Sequence, residues 1–132
     1  MVTAEFVNAV FAPLEQGNPP AFFHYVADDV VWTMTGRDYP SVGRYTSKAE
    51  VMTKGLGRMV HCMATPIRRK ITNVLICGDW VVVEHTADAT TKKGSDFHQD
   101  FCWVCRFEDD KIVEVRMYLD TAMVAKTVEE NE

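Results

Sequence analysis

The sequence predicts an α+β fold in which a curved, mixed or antiparallel β-sheet wraps around helices from the N-terminal half of the chain. In that half, apolar residues recur every three or four positions, as they do on a buried helix face. The second half instead holds four long β-type runs separated by turn signals. Runs of about eleven residues extend about 35 Å, which is too long for a flat sheet in a chain of 132 residues. We therefore expect a bent sheet with the helices on its concave side.

The chain should begin with two helices and a strand. The apolar face of the first helix is formed by Val2, Phe6, Val10, Phe11 and Leu14. Residues 17–20 break this pattern, and Pro20 suits the first turn of a second, shorter helix. We expect Asp28 and Asp29 to end that helix and residues 30–34 to form the first strand.

A loop follows over residues 36–46, and a capping box then predicts a third helix. Ser47 and Glu50 are spaced so that each side chain can bond the other's backbone N–H. The buried stripe of this helix is expected at Met52, Leu56, Met59 and Val60. The long strands are predicted at residues 67–77, 80–90, 97–107 and 112–119, and Asp120 can cap a last helix over residues 122–128.

Composition indicates one domain over residues 1–132 and argues against several functional classes. Hydrophobic residues make up 47% and charged residues 25%, an ordinary balance for a globular domain. The net charge of −5 argues against a nucleic-acid partner, which would need a basic face. No apolar stretch is long enough to span a bilayer, and Glu5 and Asn8 interrupt any signal-peptide core. We therefore expect a cytoplasmic protein with no membrane partner.

The cysteines and the motif inventory predict neither a metal nor a cofactor. Cys102 and Cys105 form a C-x-x-C, but residues three apart on a strand point to opposite faces, and no second pair completes a zinc site. Glycine-rich nucleotide motifs and the G-x-S-x-G elbow of hydrolases are missing. The four cysteines fit reduced thiols in a reducing compartment.

Side-chain alternation predicts which face of the sheet is buried. The apolar set expected on the concave face includes Phe101, Trp103, Val115 and Met117. The opposite, convex face should carry Asp100, Arg116 and Tyr118. Since apolar residues such as Val104 and Tyr118 lie among charges on that face, we expect it to join two copies of the chain in a homodimer.

His85 and Gln99 are polar residues on otherwise apolar strand faces. Both can be core side chains with satisfied hydrogen bonds. Alternatively, both can border a ligand cavity, where polar groups orient a mostly apolar guest and an imidazole can act as a general base near neutral pH.

The order of elements and four short segments resemble a known family. The segments are residues 26–32 (VADDVVW), 43–45 (GRY), 107–113 (FEDDKIV) and 115–121 (VRMYLDT). They are similar to segments of SnoaL-like, ketosteroid-isomerase-related proteins of the nuclear transport factor 2-like (NTF2-like) superfamily. The resemblance implies a cone-shaped, NTF2-like, or cystatin-like, α+β barrel with an interior apolar pocket and frequent dimerisation through the sheet.

The catalytic residues of the best-known enzymes of this superfamily are largely replaced. The positions of the ketosteroid isomerase base and its two oxyanion donors are occupied by Met34, Val10 and Trp103. The three catalytic positions of limonene epoxide hydrolases fall near His85, Ala87 and Met117. Because these side chains supply no acid pair, we expect neither steroid isomerisation nor epoxide hydrolysis.

Two hypotheses remain. The first is an isomerase, cyclase or dehydratase that acts on a small apolar molecule by acid–base chemistry without a cofactor, with His85 as the proton-transfer group and Asp120 in reserve. The second is a non-catalytic ligand-binding or dimerisation domain. In either case the expected ligand-binding residues are Tyr25, Trp32, Met34, Gln99, Phe101, Trp103 and Met117.

Overall fold

The computed structural model describes residues 2–132, which form one six-stranded sheet and several helices. Helices α1 (Ala4–Glu15) and α2 (Pro19–Phe23) precede strands β1 (Val26–Met34) and β2 (Gly43–Tyr45). A connected helical segment follows, made of α3 (Lys48–Glu50), a π-helical turn (Val51–Gly55) and α4 (Leu56–Val60). The remaining elements are β3 (Arg68–Cys77), β4 (Trp80–Thr90), β5 (Asp96–Glu108), β6 (Lys111–Tyr118) and α5 (Thr121–Asn131).

The strand order in the sheet is β2-β1-β6-β5-β4-β3. All neighbours are antiparallel except β1 and β6, which are parallel, so the sheet is mixed and stays open with β2 and β3 at its edges. Register shifts interrupt the ladders of β1 with β6, β3 with β4 and β5 with β6, and such irregularities bend strands. The α+β fold class predicted from the sequence is confirmed.

Helix α1 packs on the concave face of the sheet. Thr3 caps it by accepting a hydrogen bond from the Phe6 backbone N–H at 3.1 Å. The face that it buries includes Val10, Phe11 and Leu14, as the spacing predicts. Its Phe6 ring meets the Phe107 ring of β5 edge to face, with centroids 5.7 Å apart. Burial of this apolar stripe therefore attaches the helix to the sheet.

Two local predictions in the first half of the chain are wrong. Strand β1 begins at Val26, so Asp28 and Asp29 lie within the strand and do not end a helix. The short strand β2 forms inside the segment that was expected to be only a loop, where Tyr45 pairs with Trp32. In both cases pairing with a neighbouring strand, which local sequence does not reveal, decides the conformation.

The third helix starts where the capping box predicts, but its buried face is shifted. Ser47 accepts from the Glu50 backbone N–H at 3.1 Å. Val51 and Gly55 are buried, whereas Met52 and Val60, both expected in the stripe, are 42% and 53% exposed. The π-helical turn contributes to the shift at Val60, because its wider turns rotate the residues that follow it relative to an α-helix.

The predicted facing of the long strands is confirmed. Phe101, Trp103, Val115 and Met117 are buried, and they belong to the same core cluster as the helix residues Val10 and Phe11. On the other face, Asp100, Arg116 and Tyr118 are exposed. No helix among residues 2–132 has the length and apolar character that crossing a membrane requires.

Candidate functional site

A small apolar cavity lies between the concave face of the sheet, the π-helical turn with α4, and the start of α5. Its empty space is about 270 Å³, of which only about 20 Å³ is open to the centres of water molecules. That is room for roughly one water molecule, so a larger guest requires the walls to move. The lining residues are Met34, Ser41, Gly55, Leu56, Met59, Phe97, Gln99, Phe101, Met117, Leu119 and Val124.

The walls of the cavity combine fixed strand side chains with adaptable ones. A methionine from β1 (Met34), one from β6 (Met117) and one from α4 (Met59) contribute flexible thioether chains that can repack around a guest. Gly55 lies against the Met34 side chain, since a Cβ at this position would be in ordinary van der Waals contact with the Met34 sulfur at 3.5 Å. None of the described residues that line the cavity is ionisable.

Gln99 is the buried amide of the cavity, and its hydrogen bonds attach α5 to the sheet. It is only 1% exposed. Its Oε1 accepts from the backbone N–H of Asp120 at 2.6 Å and from that of Asp100 at 3.2 Å. Its Nε2 donates to the Asp120 carbonyl at 2.9 Å. Gln99 therefore has a structural role, and its second Nε2–H is the polar group that it can offer to a guest.

Asp120 lies at the start of α5 and outside the lining of the cavity. Its carboxylate accepts from the Met123 backbone N–H at 3.2 Å and is exposed. This is the geometry of an N-cap, which satisfies one of the free N–H groups of the first helical turn.

His85 lies in the core beside Arg69, a residue that our sequence analysis assigned no role. His85 is 2% exposed, and its Nε2 is 3.4 Å from Nη1 of Arg69. The imidazole stacks on the Phe101 ring at 4.9 Å and meets the Trp103 ring edge to face at 4.6 Å. The Arg69 guanidinium carbon lies 5.3 Å from the Phe101 centroid and 5.7 Å from that of Trp103. Both polar groups are thus held by the same two aromatic rings.

The pair fixes the protonation state of His85. Burial lowers the pKa of Arg69 to about 10, so this side chain remains a cation at neutral pH. Arginine only donates hydrogen bonds, and the Nε2 atom of His85 therefore accepts and its Nδ1 atom carries the proton. Burial, followed by the charge of Arg69, lowers the pKa of His85 to about 3, and the backbone of Val83 opposes the shift. His85 is therefore a neutral imidazole at physiological pH.

Several nitrogens in this region have no hydrogen-bond partner of ordinary geometry. Among the described residues they are Nδ1 of His85 and the indole Nε1 atoms of Trp32 and Trp103. The two indole rings are in contact, with centroids 5.1 Å apart. We call Arg69, His85, Trp32 and Trp103 the donor cluster. Arginine and the indole nitrogen can only donate hydrogen bonds, and the unpaired Nδ1 of His85 is a donor as well. Buried donors without acceptors are destabilising, so such a cluster needs an explanation.

The structure divides the sequence-predicted site residues between two neighbouring places. Met34, Gln99, Phe101 and Met117 line the cavity, whereas Trp32, Trp103 and His85 belong to the donor cluster. The Phe101 ring belongs to both, since it lines the cavity and contacts His85 and Arg69. Tyr25 lies elsewhere, with its ring 6.0 Å from that of Phe6.

Strand alternation contained a signal for Arg69. Ile67, Arg69 and Ile71 alternate with Arg68 and Lys70, so Arg69 shares its face with two apolar residues. In the sheet Arg69 pairs with Ala87, which is buried on the concave face. Alternation was applied to the later strands only, and the difference between Arg69 and its two neighbours was therefore missed.

Comparisons with known proteins agree with this architecture. A family model described as a SnoaL-like domain matches residues 7–115. The dimerizing cyclase phiC of a fungal species is 30% identical over 114 residues, covering 83% of this chain and 50% of phiC. The chain spans about half the length of the curated relatives it matches.

Solved structures share the fold at lower identity. An NTF2-like protein from Burkholderia thailandensis aligns with a TM-score of 0.77 and 23% identity, covering 93% of this chain and 94% of that chain. TerC, co-crystallized with polyporic acid, aligns with a TM-score of 0.76 and 20% identity, covering 95% of this chain and 96% of that one. These similarities confirm the NTF2-like fold that the sequence segments predict.

Proposed function

This chain belongs to the SnoaL-like domain family, and we propose that it is a cyclase, isomerase or dehydratase that acts on a small apolar carbonyl compound. The chemistry would be acid–base catalysis without a cofactor. The names of the related dimerizing cyclases support the enzyme class. The cavity on the concave face of the sheet would hold the apolar body of the substrate.

The observation that carries this proposal is the position of the His85–Arg69 pair, one aromatic ring away from the cavity. Phe101 lines the cavity and stacks on His85, so rotation of this single ring would bring substrate and imidazole together. A carbonyl compound in that position has its acidic α-hydrogen near His85 and can receive a hydrogen bond from Gln99. Positioned proton transfer of this kind accelerates reactions by about 10²–10⁴-fold.

A second candidate function is binding without catalysis. It is favoured by the chemistry of the lining, in which the described residues include no ionisable side chain. The pKa of His85, lowered to about 3 by burial and by Arg69, also makes the resting imidazole a weak base. In this case the protein would carry or sense an apolar metabolite.

Hydrogen exchange at a substrate carbon distinguishes the two functions. Cyclic enones and 1,3-diketones would be screened in D₂O, with proton NMR measuring both binding and deuterium incorporation next to the carbonyl. We expect the wild type to accelerate incorporation and His85→Gln to reduce the rate about a hundredfold. Gln99→Ala should weaken affinity more than turnover, since Gln99 would orient the guest. Binding without accelerated exchange would identify the non-catalytic function.

A matched pair of variants tests whether the cavity is the binding site. Leu56→Trp fills the cavity, whereas Met52→Trp adds the same side chain at an exposed position of the same helical segment. Only Leu56→Trp should abolish binding and exchange. Equal behaviour of the two variants would place the site elsewhere.

We also propose that the protein is a cytoplasmic homodimer. Tyr118 is 48% exposed on the convex face, beside the partly buried Cys102 and Val104. An amphipathic sheet face of this kind suits a two-fold partner. The four cysteines are free thiols, which fits a reducing compartment.

A further inference from the structure

Arg69 carries a partly buried positive charge that no carboxylate of residues 2–132 neutralises. Its one polar contact is with the neutral imidazole of His85, and burial is the cause of its lowered pKa. The faces of Phe101 and Trp103 offset part of the lost hydration through cation–π contacts. A partly buried guanidinium without an anionic partner attracts an anion more strongly than a fully exposed one, because solvent screens its charge less.

The unpaired polar groups around Arg69 are hydrogen-bond donors, so what they need is an acceptor. The adjacent Trp103 has an indole N–H without a partner, as does Trp32 in contact with it. The Nε2 lone pair of His85 already accepts a hydrogen bond from Arg69. A negatively charged oxygen would accept a hydrogen bond from the guanidinium and also compensate its charge, whereas a neutral acceptor would do only the first.

We propose that Arg69 binds an oxyanion of the substrate, a carboxylate or an enolate oxygen attached to an apolar body that occupies the cavity. The proposal rests on the function proposed above and specifies its substrate class. Phe101 connects the two parts, because its ring lines the cavity and lies beside the guanidinium. Small rotations of this ring would let the charged oxygen reach Arg69 while the apolar body stays among the methionines.

Oxyanion binding would also prepare His85 for proton transfer. When Arg69 turns to the carboxylate or carbonyl oxygen of the substrate, Nε2 of His85 is free to accept a proton. Neutralisation of the Arg69 charge removes one of the causes that lower the pKa of His85. In an enolisation the α C–H bond breaks, the proton moves to Nε2, and the electron pair becomes the enolate that Arg69 holds. The proton returns to carbon when product forms, so the step needs no further reactant.

Benzoate and benzamide test the charge requirement, since the two probes differ mainly in charge. Binding would be titrated by NMR against the wild type, Arg69→Met, Arg69→Lys and Arg68→Met. Arg68 is the matched control, because it neighbours Arg69 and is exposed. We expect benzoate to bind the wild type and Arg68→Met about ten to a hundred times more tightly than benzamide does. Arg69→Met should lose this preference and Arg69→Lys should retain part of it.

The indole N–H signals provide a readout that a structural role of Arg69 would not move. Benzoate should shift the Trp103 indole signal, whose ring contacts Arg69. It should leave unchanged the signal of Trp80, which lies under Arg106 and Arg116. Trp80→Phe and Trp103→Phe assign the two signals.

Each outcome decides the matter. Equal binding of benzoate and benzamide, or an undiminished preference in Arg69→Met, overturns the oxyanion site but leaves the cavity and its proposed function intact. Failure of both probes to bind the wild type overturns the oxyanion site and counts against the cavity as well. Benzamide binding to Arg69→Met shows that this variant is folded, so a lost preference cannot reflect unfolding.

Discussion

Lowering the pH should destabilise the folded protein through His85, by an amount that follows from its pKa. In the unfolded chain a histidine takes up a proton near pH 6.5, whereas burial and Arg69 keep His85 neutral in the folded protein down to about pH 3. Between these values the unfolded state binds more protons, so the free energy of unfolding falls as the pH falls. The stabilisation is complete above pH 6.5 and is lost progressively toward pH 3.

The expected loss is large enough to measure. For a shift from 6.5 to about 3, linkage gives a loss of about 0.8 kcal/mol between pH 8 and pH 6 and about 2 kcal/mol between pH 8 and pH 5. His85→Gln removes the titrating group while keeping a polar side chain. The difference in unfolding free energy between wild type and His85→Gln should therefore shrink by these amounts, and other titrating groups cancel in the difference.

Urea denaturation at several pH values measures this difference. Low protein concentration limits precipitation near the isoelectric point of about 5.3. The control is His61→Gln, since His61 is exposed after α4. The difference in unfolding free energy between the wild type and His61→Gln should change less with pH than the difference for His85→Gln. If the His85→Gln curve were parallel to the wild type between pH 8 and pH 5, the buried neutral imidazole would be refuted.

Four further predictions concern the hydrogen bonds and surfaces around the site. Gln99→Ala should lower the free energy of unfolding by about 1–3 kcal/mol, because it leaves the Asp120 backbone groups unpaired. Hydrogen exchange in α5 should accelerate, and unchanged protection would contradict the attachment of this helix through Gln99. Ser47→Ala should cost about 1 kcal/mol in urea denaturation through loss of the helix cap, and a change near zero would deny the cap any role. His98, whose pKa is raised by hydrogen bonds to Asp88 and Asp100, should stabilise the wild type over His98→Asn below pH 6.5, and this advantage should disappear as the pH rises through its folded pKa. Urea denaturation at low salt measures this small, screened effect. If the advantage of the wild type grew as the pH rose, the raised pKa of His98 would be contradicted. Tyr118→Glu should shift sedimentation from dimer toward monomer at micromolar concentration, and a wild type that sediments as a monomer would remove the proposed interface.

Period-2 alternation within a strand was sufficient to separate the buried from the exposed residues of β5 and β6. Phe101 and Trp103 are inside and Asp100 is outside, because side chains on a strand alternate regardless of what the strand pairs with. The helix cap at Ser47 was equally local, since it depends on residues three apart. The segments shared with SnoaL-like proteins added the NTF2-like fold.

Contacts between residues that are far apart in the sequence depend on how the elements pack against one another. Gln99 bonds the backbone of Asp120 because α5 returns to β5, and nothing in either segment alone predicts this contact. In the third helix Val51 is buried and Met52 is exposed, because packing against the rest of the core decides which side of the helix is covered.

Arg69 shows the division most clearly. Its sequence neighbours Arg68 and Lys70 are exposed, and only pairing of β3 with β4 places its guanidinium against His85 and the aromatic rings of β5. The sequence by itself determined which face of the strand each side chain occupies, because that depends on the backbone pleat. The tertiary structure alone decided which polar groups meet on that face, because that depends on strand register and sheet curvature.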